Sequence, residues 1–259
     1  MSLVLSSRLA LGALALVAAT QVLATPVFFP SFQQREVQIS ARLQVDDHET
    51  DESHRHEDHR SDRAPKDHFG PVSLTSGVGF SDNAGAIFAQ GASTQQSSVT
   101  ASRISFSGLA DINVSGFSGY PLYVSGDGAS ASVFELKFTV PKTVMVALAM
   151  NSEVQRFRDN DWRFLLARAD GTPVWDATVV YGDDGLEHRS FVQQLELTAG
   201  DYFIQASVRA HSWWNGDAGF AGRTSAQFSI SPVPEPATAV MALLGLGLLA
   251  AQRSRRARA

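Results

Sequence analysis

The chain of 259 residues has room for one or two domains, carries 21 basic and 26 acidic residues for a formal net charge of −5, and contains no cysteine. Residues 1–24 hold Arg8 as their one charge and residues 237–259 hold four arginines and no acid, so the body between them sets 16 basic against 26 acidic side chains. Such an acidic body excludes nucleic-acid binding, which needs Lys and Arg to displace counterions from phosphates. The lack of cysteine excludes disulfides, thiol chemistry and Cys-zinc sites.

In chain order, Met1 to Ala24 reads as a secretory signal peptide, with Arg8 as the positive start, Leu9 to Ala19 as the apolar run and Val22-Leu23-Ala24 as a small-residue cleavage site. A transmembrane anchor is the alternative, but 11 apolar residues are too few to span a bilayer. Residues 25–45 follow as an N-terminal strand segment. In it Val37, Ile39, Ala41, Leu43 and Val45 alternate with Gln38, Ser40, Arg42 and Gln44, which predicts a strand with one apolar face in need of a partner sheet. From 46 to 69 the chain turns to charge and histidine, with no large apolar residue before Phe69. Nothing there offsets the cost of ordering the backbone, so a disordered linker is expected. His54, His56 and His59, interleaved with Glu57 and Asp58, could take Zn²⁺ or another borderline metal; a solvated charged spacer explains the same composition.

Across 70–231, short runs rich in β-branched and aromatic residues alternate with Gly, Asp, Asn and Ser. Strands are expected at 99–106, 132–140, 143–150, 162–169, 174–181, 191–197, 202–210 and 224–230, with Phe134, Leu136, Phe138 and Val140 sharing one face. Turn chemistry separates them at Pro141-Lys142, Asp170-Gly171, Gly182 to Gly185 and Ala199-Gly200-Asp201. No amphipathic helical pattern intervenes, so the expected fold class is all-β, an antiparallel β-sandwich of jelly-roll type. The Ser- and Gly-rich stretch 73–130 is expected to hold long loops. The succession Phe134, Trp162 to Leu166, Asp170-Gly171-Thr172 and Leu195 to Ile204 resembles the bacterial pre-peptidase C-terminal type of β-sandwich. That resemblance implies an accessory, non-catalytic module.

Catalytic signatures are missing. Gly116-Phe117-Ser118-Gly119-Tyr120 breaks the nucleophile-elbow spacing, and neither a zinc helix, a phosphate loop nor a dinucleotide fingerprint occurs. Outside the linker only His188 and His211 could serve as general bases, so an enzyme is not expected. Two stretches carry candidate binding chemistry. Asp159, Asp161, Asp183 and Asp184 put oxygen ligands in turns where Ca²⁺ could join loops, although turns favour Asp for its own local hydrogen bonds. His211 to Asp217 reads as a polar loop in which Trp213 and Trp214 stack on sugar faces while Asn215 and Asp217 bond hydroxyls. Alternatively one ring caps the core and the other packs on a neighbouring strand.

The last 28 residues, 232–259, form a separate unit. Val233-Pro234-Glu235-Pro236 is kept extended by two prolines that lack N–H donors. Residues 237–251 are apolar on every helical face, a hydrophobic helix of ~22 Å that falls short of a ~30 Å hydrocarbon core. Arg253, Arg255, Arg256 and Arg258 would hold the end on the cytoplasmic side. These three parts resemble the PEP-CTERM sorting signal of Gram-negative bacteria that make extracellular polysaccharide. The resemblance implies recognition by a membrane-embedded processing enzyme of the exosortase type and cleavage near the Pro-Glu-Pro box. With a signal peptide at the other end, the expectation is a non-enzymatic exported protein, with an inner-membrane intermediate, left at the cell surface or in the exopolysaccharide matrix as a structural or adhesive module. Carbohydrate binding by the tryptophan loop and metal sequestration by the histidine linker are the rival readings.

Overall fold

The computed structural model describes residues 27–81, 87–119, 121–156, 160–180, 185–216 and 218–233. The expected signal peptide, 1–24, and the run from Pro234 to Ala259, with its expected helix, lie outside them. Twelve strands are described: β1 Phe29–Asp47, β2 Glu52–Arg63, β3 Val72–Ser81, β4 Ile87–Thr100, β5 Arg103–Gly116, β6 Leu122–Val140, β7 Val144–Arg156, β8 Asp161–Arg168, β9 Pro173–Val180, β10 Gly185–Leu197, β11 Gly200–Asn215 and β12 Ala218–Pro232. All pairs are antiparallel. They form a front sheet, β2-β1-β6-β11-β8-β9, and a back sheet, β3-β4-β5-β12-β7-β10. The sheets join where Trp213 to Asn215 at the end of β11 pair with Ala218 to Phe220 at the start of β12.

From β5 onward the topology is a jelly roll. The hairpin β8–β9 is the tip of one long antiparallel ribbon whose arms pair in turn as β7 with β10, β6 with β11 and β5 with β12. Rolling that ribbon up creates the further contacts of β8 with β11 and β7 with β12. The first four strands widen both layers, since β1 adds to β6 and β4 adds to β5. The sandwich therefore runs from β1 to β12, and the boundaries expected at 45/46 and 69/70 do not divide it.

Period-two alternation builds the core as its physics requires. Phe134, Leu136, Phe138 and Val140 of β6 are almost wholly buried, as are Ile39, Ala41 and Leu43 of β1. Phe228 of β12 sits among Phe106, Phe134 and Phe164, with ring centroids 5.6, 5.8 and 4.8 Å away. Rings from both layers thus meet at one point, each contributing ~1.5–3 kcal/mol of burial. Elsewhere small inward residues let the sheets come close enough for hydrogen bonds between them. Ser93 Oγ donates to Ala131 O at 2.5 Å, and Ser212 Oγ accepts from Val114 N at 2.7 Å and donates to Phe220 O at 2.6 Å. At Gly222 a Cβ would lie 2.1 Å from His211 O, so a glycine is required where the β11–β12 hairpin changes layers.

Three expectations are corrected. The stretch 46–69 is not a disordered linker: β2 pairs with β1 from Arg63↔Glu36 to Glu52↔Asp47, through a turn in which Asp51 has φ 57°. Ladder hydrogen bonds to an existing strand order this backbone without apolar burial, a gain that hydrophobicity along the sequence does not register. Residues 73–130 form β3, β4, β5 and half of β6 in place of long loops, because their serines and glycines are what the close layer spacing admits. The strand expected at 99–106 contains the β4–β5 turn, closed by Arg103 N donating to Thr100 Oγ1 at 3.0 Å.

Candidate functional site

The candidate residues fall on four parts of the sandwich. Strand alternation places Trp213 on the outer face of the front sheet and Trp214 on the inner side, packed against the core. Trp213 instead meets Phe220 edge-on at 5.6 Å. The two rings therefore do not form one platform, because consecutive residues of a strand face opposite ways. Nor is 211–215 a loop: β11 continues through Asn215, whose Oδ1 accepts from the Tyr123 hydroxyl, and turns at Gly216 with φ 65°. Asp217 lies outside the described residues.

The histidines of β2 are divided in the same way. His54 and His56 sit opposite Val45 and Leu43, and His59 sits opposite Ser40 on the other face. His56 packs on Phe80 at 5.2 Å, and His54 Nε2 stands 3.5 Å from Glu52. Ion pairs Arg55–Glu57 and Arg60–Asp58, both 2.9 Å, complete an exposed, charged edge strand. Among the described residues no group of three His, Asp or Glu is arranged to hold a metal. Asp161 is nearly buried between Arg163 at 3.6 Å and Arg209 at 3.9 Å, which suits a structural carboxylate. Asp159, Asp183 and Asp184 lie outside the described residues. His188 Nδ1 is 4.0 Å from Glu153 on the exposed face of the back sheet.

Two features carried no signal in the sequence. Arg35 points into the sandwich and is fully buried, donating from Nη1 to Gly70 O at 2.8 Å and from Nη2 to Phe69 O at 3.1 Å. Burial pushes its guanidinium down to about 10. Gln33, also buried, donates to Pro65 O at 3.1 Å and to His68 O, so two polar side chains of β1 pin the segment between β2 and β3. The second feature is a trough of about 870 Å³ on the outer face of the back sheet.

The sorting junction is the most defined of these places. β12 is an inner strand, paired on one side with β5 and on the other with β7. Pairing with β7 runs through Ser231↔Ala147 and Pro232↔Val146, and Val233 N then donates to Met145 O at 2.8 Å. The fold is thus still hydrogen-bonded at the first residue of the Val-Pro-Glu-Pro box, whose Pro234, Glu235 and Pro236 follow outside the described residues, as do Arg253, Arg255, Arg256 and Arg258. The PEP-CTERM protein-sorting motif matches residues 232–256. The chain carries a PEP-CTERM signal.

A PEP-CTERM signal implies export through membrane-associated sorting and processing by an exosortase. It begins at Pro232, the residue on which the last strand ends, so the two overlap there. Structures with some similarity are the enzymatically active domain of bacteriophage CBA120 tailspike protein 4, at 8% identity and TM-score 0.23 over 62% of this chain and 19% of that one. Another is Arthrobacter globiformis T6 isomalto-dextranase complexed with panose, at 11% identity and TM-score 0.19 over 73% of this chain and 29% of that one. The infectious bursal disease virus VP2 subviral particle gives 11% identity and TM-score 0.14 over 90% and 75%. The chain spans about a fifth of the first and under a third of the second, and these likenesses carry no argument about its function. No curated protein matches the chain.

Proposed function

We propose that this is an exported, non-enzymatic jelly-roll module, delivered by its PEP-CTERM signal through an inner-membrane intermediate and left at the cell surface or in an exopolysaccharide matrix, where it acts as a structural or adhesive unit. The observation that carries the reading is the junction: β12 is hydrogen-bonded on to Val233, within the sorting motif itself. No flexible spacer separates body from signal, so the body is held against the membrane until the box is cut. Cleavage near Pro234 to Pro236 by an exosortase-type enzyme frees the sandwich whole.

β2 carries alternating acids, arginines and histidines, and such an edge resists pairing with the edge of another molecule. The test is the double substitution Pro234→Ala with Glu235→Ala, followed by fractionation of cells. The expected outcome is accumulation of the uncut chain in the membrane with loss of the surface pool. Normal delivery of the variant to the surface contradicts the proposal.

A further inference from the structure

The outer face of the back sheet carries charge toward one end, at Arg223, Glu153 and His188, and an uncharged band beside it. The front sheet exposes charge, including Arg42, Lys137, Arg163 and Arg209. On the back sheet, one register row crosses all six strands as Ser73, Gln96, Ser107, Gln227, Asn151 and Ser190, and every one of these side chains is exposed. Among the described residues none of the six has a side-chain hydrogen-bond partner in the protein. The next row is Ser98, Ser105, Ser229, Ala149 and Val192, the last 74% exposed. Both rows line the 870 Å³ trough, in which Arg103 is the one ionisable lining residue.

We propose that this trough binds an extended, uncharged polysaccharide lying across the strands. The inference deepens the matrix-retention part of the proposed function and rests on it for its biological setting. Serine, glutamine and asparagine each donate and accept hydrogen bonds, which is what a row of sugar hydroxyls requires. Six strands at ~4.8 Å spacing give a ladder of about 24 Å, the reach of a polymer and not of a single sugar. Anionic polymers are disfavoured, since the trough offers a lone arginine and the surrounding body has ten more acidic than basic residues. A protein partner is disfavoured as well, because protein interfaces centre on aromatic and apolar anchors and this face exposes Val192 alone of that kind in the two rows.

Affinity electrophoresis of the full chain in detergent tests the proposal, with dextran and hydroxyethylcellulose as neutral probes and alginate as the anionic one. The neutral polymers retard the wild type and alginate does not. The combined variant Gln96→Ala, Asn151→Ala, Gln227→Ala weakens that retardation roughly tenfold or more with an unchanged melting curve. The front-face variant Lys137→Ala leaves it intact. Absence of retardation by both neutral polymers, retardation by alginate alone, an unaffected triple variant, or sedimentation showing the face occupied by a second copy would each overturn it. Since binding is read on uncleaved protein, its failure leaves the sorting assay untouched, and failure of sorting leaves the binding result standing.

Discussion

Glu36 shows how single residues hold the N-terminal strands to the sandwich. Burial raises its carboxyl pKa, but hydrogen bonds from Gln38 at 2.7 Å, Arg63 at 3.0 Å and Gln34 at 3.1 Å, with the Arg63 charge, outweigh that and hold it below the usual carboxylate range. A depressed folded-state pKa contributes stability that is full above the unfolded value and is lost as pH falls through the folded one. Urea unfolding of the wild type should therefore weaken on acidification, and Glu36→Gln should flatten that dependence while costing about 1–3 kcal/mol at neutral pH. Equal acid sensitivity in both proteins would show that the loss comes from elsewhere. Arg35 makes a second case. It spans two backbone carbonyls, so Arg35→Ala strips Gly70 O of its donor, while Phe69 O keeps the Val99 N–H at 3.1 Å. Hydrogen exchange should then quicken at residues 64–72 well before the core strands respond.

Among the elements, β12 has most depending on it. It lies between β5 and β7, and Phe228 sits at the meeting point of rings from both layers. Phe228→Ala should cost ~3–5 kcal/mol in denaturant unfolding, whereas a short Gly/Ser insertion between Val233 and Pro234 should leave stability unchanged because the ladder is complete at Val233. The parts of β1 and β6 at 37–45 and 134–140 could be read from the sequence because their apolar residues alternate there without interruption. β2 could not, since its order comes from ladder bonds to β1 and a charged strand has the composition of a spacer. β4 hides for a related reason: its inward Ser93, Gln95 and Ser97 are buried polar residues, so period two is present in geometry and absent from hydropathy. The tryptophans were visible as candidates, but a loop reading put both on one surface where a strand sends them apart. The neutral ladder of the back sheet is spread over six strands, and only the register brings it together.

At the scale of the whole molecule, a jelly roll closed by its last inner strand leads straight into the PEP-CTERM signal. In the function proposed above, processing is the step that separates a finished domain from the membrane, and the mature chain should end near the box. Mass spectrometry of the C-terminal peptide from cell-surface material is the direct measurement. The expected result is a terminus close to Val233 to Pro236 and no peptide containing Arg253 to Arg258. Surface protein that retains the arginine-rich tail would contradict it and make the segment a plain anchor.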